Sequence, residues 1–297
     1  GNSSSSPSDT FVNALLMFGY SPPQRMPHGL IHGQRKLQNW GRAVDYKYVD
    51  DAREQPGLRL ALTMGVPGPW SQAAKYLFEY KKYPFIAVGQ KGAQDNPELF
   101  AWTGHRNAPV AVFEDEAPRV GWYEIVMLAE RLAPEPGLVP GASAERAEMF
   151  GLITEIASEG GLAWQRRLAM IDVMRAAIPD PAARQLPNTL AERYGYSSAA
   201  AAKANGICAD ILAMLAAKLE AQAGRGSDYF VGGEFTAADL YWACFSQLVA
   251  PMAEDRNPMP ERLRGPYTAP DSLVIAPILL DHRERMYERH LTLPLDF

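Results

Sequence analysis

The side chains that most often act as nucleophiles or metal ligands are sparse in this sequence. Its two cysteines, Cys208 and Cys244, lie in apolar, helix-like segments without a neighbouring cysteine, so we expect core residues and no redox pair. His28 and His32 are four residues apart, but the prolines and glycines around them exclude a helical pair of ligands. We therefore predict no metal site.

The composition is that of a globular protein with an acidic surface. Of the 297 residues, 47% are hydrophobic and 21% are charged, and the formal net charge is -5. Because an acidic surface does not attract phosphate backbones, we expect no nucleic-acid partner. No apolar run reaches the ~20 residues that span a bilayer, and the Ser-rich start lacks the pattern of a signal peptide. We therefore expect a cytoplasmic protein with no membrane partner.

Strand-like and helix-like segments alternate from residue 57 onward. The predicted strands and helices cover Leu58–Thr63, Trp70–Lys82, Tyr83–Val88, Pro97–Trp102, Pro109–Glu114, Arg119–Gly121 and Trp122–Leu132, in the order strand, helix, strand, helix, strand, strand, helix. A strand, helix and strand with short connections imply two parallel strands. We assign an α/β domain to residues 57–134 and treat residues 1–56 as an N-terminal extension, a partly disordered arm.

A proline-rich linker follows, and almost all of the chain beyond it is predicted to be helical. We assign an all-helical domain to residues 141–297. Its predicted helices cover Ala144–Ala177 with a bend near Gly160-Gly161, Leu190–Ala223 with a break near Gly195, Thr236–Met252 and Ser272–His290.

The clearest local signal in this second domain is a helix start at Thr236. Its hydroxyl is expected to accept a hydrogen bond from the Asp239 amide, while the Asp239 carboxylate accepts one from the Thr236 amide. Phe235 and Leu240 occupy the positions of a hydrophobic staple. The pattern predicts a well-capped helix, and a capping box alone says nothing about activity.

The stretch from Tyr229 to Asp239 resembles the segment before the core helix of the glutathione transferases. The sequence Asn107-Ala108-Pro109-Val110 is similar to that family's entrance to its third strand, where a proline follows a cis peptide bond. The order of elements in the first domain agrees with the same family. The resemblance covers roughly residues 57–292 and implies a thioredoxin-like α/β domain followed by an all-α domain.

The resemblance also implies a site for glutathione as co-substrate. The thiol peptide would pair with the backbone at Ala108 and Pro109, and Arg106 and Asn107 would lie near its carboxylates. The alternative is that Arg106 and Asn107 belong to a solvated loop.

The family usually has a Ser, Cys or Tyr in or near the first loop, where it stabilises or supplies a thiolate. Here Gly68 and Trp70 occupy the two usual positions, and Ser71 is the one hydroxyl close by, so Ser71 is the predicted catalytic donor. The alternative is that Ser71 only caps the helix that begins near Trp70.

The sequence departs from the family pattern at the start of helix Trp122–Leu132. The family typically has an acidic residue followed by serine there, and both hold the γ-glutamyl end of glutathione. This chain has Gly121 and Trp122, and an indole offers no acceptor to an ammonium group. Losing both charged contacts is expected to weaken glutathione binding by about 100-fold or more.

On the other side of the expected cleft, Trp164, Arg167 and Met174 of the long helix are predicted to line the pocket for an apolar electrophile. Trp70 and Trp122, at the family's glutathione positions, are also predicted to contact substrate. The alternative for the residues of the long helix is a place in the core or on the helix surface.

Two functional hypotheses follow. The first is an enzyme that conjugates glutathione to a small apolar electrophile in the interdomain cleft. The second is a non-catalytic protein of the same fold that binds another small ligand or a protein partner. The resemblance further implies a homodimer.

Overall fold

The computed structural model describes residues 44–297. In that part of the chain, strands β1 (Leu58–Thr63), β2 (Ile86–Gln90) and β3 (Val110–Phe113) form one sheet in the order β2-β1-β3. Strand β2 is parallel to β1, as the predicted strand, helix and strand unit requires, and β3 is antiparallel to it.

The central strand β1 is buried on both faces of the sheet because its side chains alternate between two apolar clusters. Leu58, Leu60 and Leu62 lie in the main core. Ala61 lies in a second cluster on the opposite face, where it packs with Val88 of β2 and other apolar side chains. A strand covered on both faces explains why the segment is almost continuously apolar.

The chain before β1 adds to the edge of this sheet. Lys47 forms a parallel bridge to Val88, and helix α1 (Val49–Arg53) buries Val49 and Ala52 against the second cluster. The rest of the predicted N-terminal extension, residues 1–43, lies outside the described residues.

Three further helices complete the first domain. They are α2 (Pro69–Tyr80), α3 (Pro97–Thr103) and α4 (Trp122–Leu132). The short strand predicted around Arg119–Gly121 is reduced to a single antiparallel bridge between Ala111 and Arg119.

The second domain is helical. Its helices are α5 (Ser143–Ala157), α6 (Leu162–Ala177), α7 (Gln185–Arg193), α8 (Ser198–Ala223), α9 (Ala237–Phe245), α10 (Glu261–Tyr267) and α11 (Pro277–His290), with short 3₁₀ turns at Pro181–Ala183 and Ser246–Leu248. The helix predicted over Thr236–Met252 therefore ends earlier, at Phe245. Helix α11 begins later than predicted, at Pro277, because proline suits the first turn of a helix.

The predicted bend near Gly160-Gly161 separates α5 from α6. Gly160 has a φ of +88°, in the left-handed region that favours glycine. A Cβ atom added at Gly161 would lie 2.6 Å from the carbonyl oxygen of Glu155, so only glycine fits this close turn.

Helix α8 is long and apolar enough to cross a membrane by length and composition alone. It packs along α6 and buries residues such as Leu212, Leu215 and Leu219, as the core helix of a bundle does. Packing within the domain accounts for the buried part of its apolar surface, which is 39% of the apolar window.

Helix α9 is buried along its whole length, and the Asp239 carboxylate organises its start. This carboxylate accepts from the amides of Phe230 and Thr236, at 2.8 and 2.9 Å, and lies 2.9 Å from Nε2 of His282. The predicted capping box between Thr236 and Asp239 is present, and the Thr236 hydroxyl also donates to the same carboxylate at 2.9 Å.

Helix α2 connects the two domains. The Trp70 indole N–H donates to the carbonyl oxygen of Ala157 at 3.0 Å, and the ring meets Phe245 edge-on with centroids 5.1 Å apart. Further along the helix, the Tyr76 hydroxyl donates to the carbonyl oxygen of Thr292 at 2.6 Å. The start of α2 is therefore held against the helical domain, and this contact positions the loop that precedes it.

Candidate active site

A cavity of about 890 Å³ lies between the loops of the first domain and helices α6, α7 and α10 of the second. Every residue predicted for the site except Trp122 lines it: Trp70, Ser71, Arg106, Asn107, Ala108, Pro109, Trp164 and Arg167. Its volume is within the range of small-molecule sites. Residues from two domains and from distant parts of the sequence thus meet around one space.

Ser71 lies where β1, the following loop and α2 come together. Its Oγ accepts from the Thr63 amide at 3.0 Å and donates weakly to the Thr63 hydroxyl at 3.4 Å. The side chain is buried but lies on the cavity wall. Helix α2 begins at Pro69 with Gly68 as its N-cap, so the alternative in which Ser71 caps this helix is wrong.

The loop before β3 forms a second wall. The Ala108–Pro109 peptide bond is cis, and both residues line the cavity. On the exposed side, the Asn107 amide oxygen accepts from Nη1 of Arg193 at 3.0 Å, and Nη2 of the same guanidinium donates to the carbonyl oxygen of Gln94, also at 3.0 Å. Arg193 belongs to α7, so these two bonds join the domains across the edge of the cavity.

Trp122 lies outside the cavity, which corrects its predicted place in the site. Its indole N–H donates to Oγ of Ser158 at 2.7 Å, and its ring lies 6.1 Å from the rings of both Phe150 and Tyr241. These partners belong to the helical domain. Helix α4 begins at Trp122 as predicted, but the side chain is drawn into the domain contact by an aromatic cluster that is distant in the sequence.

Glu124 is the acidic residue nearest to this helix start, but its carboxylate caps the helix and does not face the cavity. Glu124 accepts from the amides of Val120 and Gly121 through one carboxylate oxygen, each at 3.2 Å. The carboxylate satisfies two amides at the N-terminus of α4 and lies outside the cavity lining.

The helical wall of the cavity is aromatic and rich in methionine. The Trp164 indole N–H donates to the carbonyl oxygen of Tyr194 at 3.1 Å, and the two rings lie 4.8 Å apart. Met170 and Met174 lie on the same face of α6 and also line the cavity. This wall suits a flat apolar molecule, because methionine adapts to the shape that it contacts.

Comparisons with known proteins agree with this geometry. The helical domain matches a sequence model of the glutathione S-transferase C-terminal domain over residues 167–264. The helical domain is therefore similar, over these residues, to the C-terminal domain of the glutathione S-transferases. No curated protein sequence matches it significantly.

Solved structures extend the fold similarity to most of the chain. A glutathione S-transferase from Methylobacterium radiotolerans, in complex with glutathione sulfonate, superimposes with a TM-score of 0.54 at 18% identity, over 78% of this chain and 91% of that one. One from Methylobacillus flagellatus with glutathione bound gives a TM-score of 0.54 at 17% identity, over 78% and 95%. One from Rhodospirillum rubrum gives 0.52 at 18%, over 78% and 88%.

The sequence analysis did not predict three further residues that line the cavity: Arg193, Tyr194 and Tyr267. A signal for the first two was the sequence Arg-Tyr-Gly-Tyr, which interrupts an otherwise Ala-rich segment at Gly195. Tyr267 lies between predicted helices, and no local pattern marks it.

The lining of this transferase-like cavity has an unusual charge distribution. It contains the cationic side chains Lys91, Arg106, Arg167 and Arg193, together with His105, and no Asp or Glu among the described residues. The protein as a whole has a net charge of -5. The lining therefore carries more cationic than acidic side chains, and one of these cations, Arg106, lies 3.7 Å from the Asp95 carboxylate.

Neither cysteine takes part in this site. Cys208 and Cys244 are buried and lie outside the cavity lining. Burial raises the pKa of the Cys208 thiol to about 11, and burial also raises the pKa of the Cys244 thiol. Neither thiol is ionised near neutral pH, so any sulfur nucleophile must come from a bound molecule.

Proposed function

We propose that this protein is a glutathione transferase-type enzyme that conjugates glutathione to a small, largely apolar electrophile. The observation that carries the proposal is the shared cavity, in which the edge of the first domain at Asn107–Pro109 faces the aromatic wall around Trp164. Glutathione and the electrophile would meet between the two walls.

The first domain supplies the contacts proposed for glutathione. Its backbone would pair with the main chain at Ala108, and its carboxylates would lie near Arg106 and Asn107. No Asp or Glu side chain of the described residues lines the cavity, so the γ-glutamyl ammonium would lack the acidic side chain of the family pattern. We therefore expect weaker binding than in relatives with an acidic residue there, and the positive lining favours the two carboxylates.

The proposed reaction is a nucleophilic displacement. The glutathione thiol loses its proton to solvent, and Ser71 stabilises the resulting thiolate by turning its O–H from Thr63 toward the sulfur. The sulfur attacks the electrophilic carbon and a C–S bond forms. The leaving group departs with the electron pair of the bond that breaks, so no oxidant or reductant is needed.

An isothermal titration with glutathione tests the proposal. We expect a dissociation constant between micromolar and low millimolar, and an Asn107→Ala variant that binds more weakly. Arg175→Ala is a matched control, because Arg175 donates to Asn188 and does not line the cavity. No heat at about 10 mM glutathione would remove the enzyme and leave the non-catalytic alternative.

We also propose that the protein is a homodimer, because members of the glutathione S-transferase superfamily often dimerise. Light scattering after size-exclusion chromatography measures the mass directly. A single species near twice the chain mass of 32.7 kDa supports the proposal, and a monomer at micromolar concentration contradicts it.

A further inference from the structure

The segment that follows helix α11, residues 291–297, crosses from the helical domain to helix α2 of the first domain. We call this segment the strap. It forms no helix or strand, yet Leu295 and Phe297 are buried. The backbone carbonyl groups of a packed segment need hydrogen-bond donors, and without secondary structure these donors must come from another part of the chain.

Three side chains on one face of α2 supply these donors. The Tyr76 hydroxyl donates to the carbonyl oxygen of Thr292 at 2.6 Å, and the Gln72 amide donates to that of Asp296 at 2.8 Å. Nζ of Lys75 donates to the same carbonyl oxygen of Asp296 at 3.0 Å. The three α2 residues are buried, so little water competes for these bonds.

The contact with Lys75 is also an ion pair. Its ammonium group bonds the Asp296 carboxylate, and the Glu79 carboxylate lies 3.9 Å away. Lys75 is 2% exposed, and an ammonium group buried to this degree is unfavourable unless an acid pairs with it. Without the Asp296 carboxylate, the buried charge would keep only the longer contact with Glu79.

The other side of the strap is fixed to the helical domain. The Leu295 amide donates to the carbonyl oxygen of Arg256 at 2.8 Å, and the guanidinium of Arg256 bonds the Glu284 carboxylate of α11. The strap therefore connects α2 to the second domain through bonds on both of its sides.

The strap also lies close to the candidate site. Ser71 directly precedes Gln72 in the first turn of α2, and its Oγ accepts from the Thr63 amide at 3.0 Å. Phe297, at the end of the strap, lines the cavity. Because the residues of one helical turn are joined by backbone hydrogen bonds, a shift at Gln72 also moves Ser71 relative to Thr63.

We infer that the strap holds the start of α2 in place and that Asp296 is a positioning residue for Ser71. The inference rests on the proposed function, which gives Ser71 its role in stabilising the thiolate. The position of Ser71 itself is a property of the folded chain and can be measured without a substrate.

The Thr63 amide reports this position, because Oγ of Ser71 is its acceptor. We expect Asp296→Ala to accelerate hydrogen exchange at Thr63 by about 10-fold or more, measured on the full chain by NMR. Exchange at Leu60, in the middle of β1, should stay within about threefold of the wild type, which shows that the sheet is intact. Ser71→Ala gives the upper limit, because it removes the acceptor itself.

Glu148→Ala is the matched control, because Glu148 also pairs with a lysine, Lys218, but within the helical domain. It should leave exchange at Thr63 unchanged. Wild-type exchange at Thr63 in Asp296→Ala would overturn the inference, as would an equal acceleration at Thr63 and Leu60, which indicates a general loss of stability. If Asp296→Ala does not fold, Asp296→Asn is judged on the same two amides.

Steady-state kinetics separate this inference from the proposed function. Where the wild type conjugates glutathione, Asp296→Ala should lower kcat by about 10-fold and leave KM for glutathione within about threefold, because glutathione is proposed to pair with Ala108 and not with α2. Faster exchange at Thr63 with an unchanged kcat would overturn the positioning role. If the wild type shows no conjugation, the proposed function fails, and the exchange rates alone decide whether the strap positions Ser71.

Discussion

Asp239 and Arg167 are two charged side chains in the helical domain, and the protein surrounds them in opposite ways. The carboxylate of Asp239 is fully buried and bonded to two amides, a hydroxyl and an imidazole. The guanidinium of Arg167 faces a cavity with a buried Nε that has no partner. The Asp239 carboxylate is satisfied from within the chain, whereas Nε of Arg167 has no partner among the described residues.

The largest expected effect is a loss of stability when the buried carboxylate of Asp239 is removed. Asp239→Ala leaves the Phe230 and Thr236 amides buried without an acceptor, so we expect the free energy of unfolding to fall by about 3–5 kcal/mol. Urea unfolding monitored by circular dichroism measures it. Asp172→Ala is the control, because this carboxylate accepts only an exposed hydrogen bond from Tyr196 and should change stability by about 1 kcal/mol or less. If Asp239→Ala lowered the free energy of unfolding no more than the control does, Asp239 would not be a structural charge, and its contrast with Arg167 would be lost.

The next largest effect is expected on the rate of glutathione conjugation. Ser71→Ala should lower the rate of glutathione conjugation by about 100-fold, since the hydroxyl is proposed to stabilise the thiolate. Steady-state kinetics at saturating substrates measure this change in kcat, and the exposed Ser272 supplies the control variant Ser272→Ala. If the Ser71→Ala rate were unchanged, the hydroxyl would serve only to hold Thr63 at the end of β1.

Removing the unsatisfied charge should have little effect on stability. Arg167→Met keeps the length and apolar contacts of the side chain, so we expect the free energy of unfolding to stay within about 1 kcal/mol of the wild type, or to rise. The same urea titration reports it. A loss as large as that of Asp239→Ala would show that Arg167 is a structural residue and would remove the contrast between the two charges.

The smallest signal is expected from the reactivity of the two cysteine thiols in the native protein. Burial raises the pKa of the Cys208 thiol to about 11 and also raises that of Cys244, so neither should react with Ellman's reagent in the native protein near pH 8. Both should react in denaturant. Rapid labelling of the native protein would contradict the burial of both thiols.

Local patterns were enough to predict parts of this fold residue by residue. Strand β1 and helix α4 have the predicted bounds, because each is an apolar segment between clear breakers. The bend at Gly160-Gly161 was also predicted, since two adjacent glycines interrupt a helical period. Most of the candidate site followed from the resemblance in the same way, because its residues lie next to recognisable turns.

Side-chain direction and tertiary partners could not be predicted. Trp122 begins the expected helix, but its indole points to Ser158 and Phe150, whose position depends on how the domains pack. Tyr267 reaches Arg167 from 100 residues along the chain. No local pattern encodes a contact of that kind, so these residues became visible only in the folded protein.

The hydrogen bonds from Arg193 to Asn107 and Gln94 bear on how small molecules enter and leave the cavity. They are exposed to water, and such bonds contribute on the order of 1 kcal/mol each, so thermal motion breaks and remakes them within microseconds. Typical enzymes turn over about 10 times per second, which is far slower. The bonds therefore set the relative orientation of the domains while molecules still exchange freely with solvent.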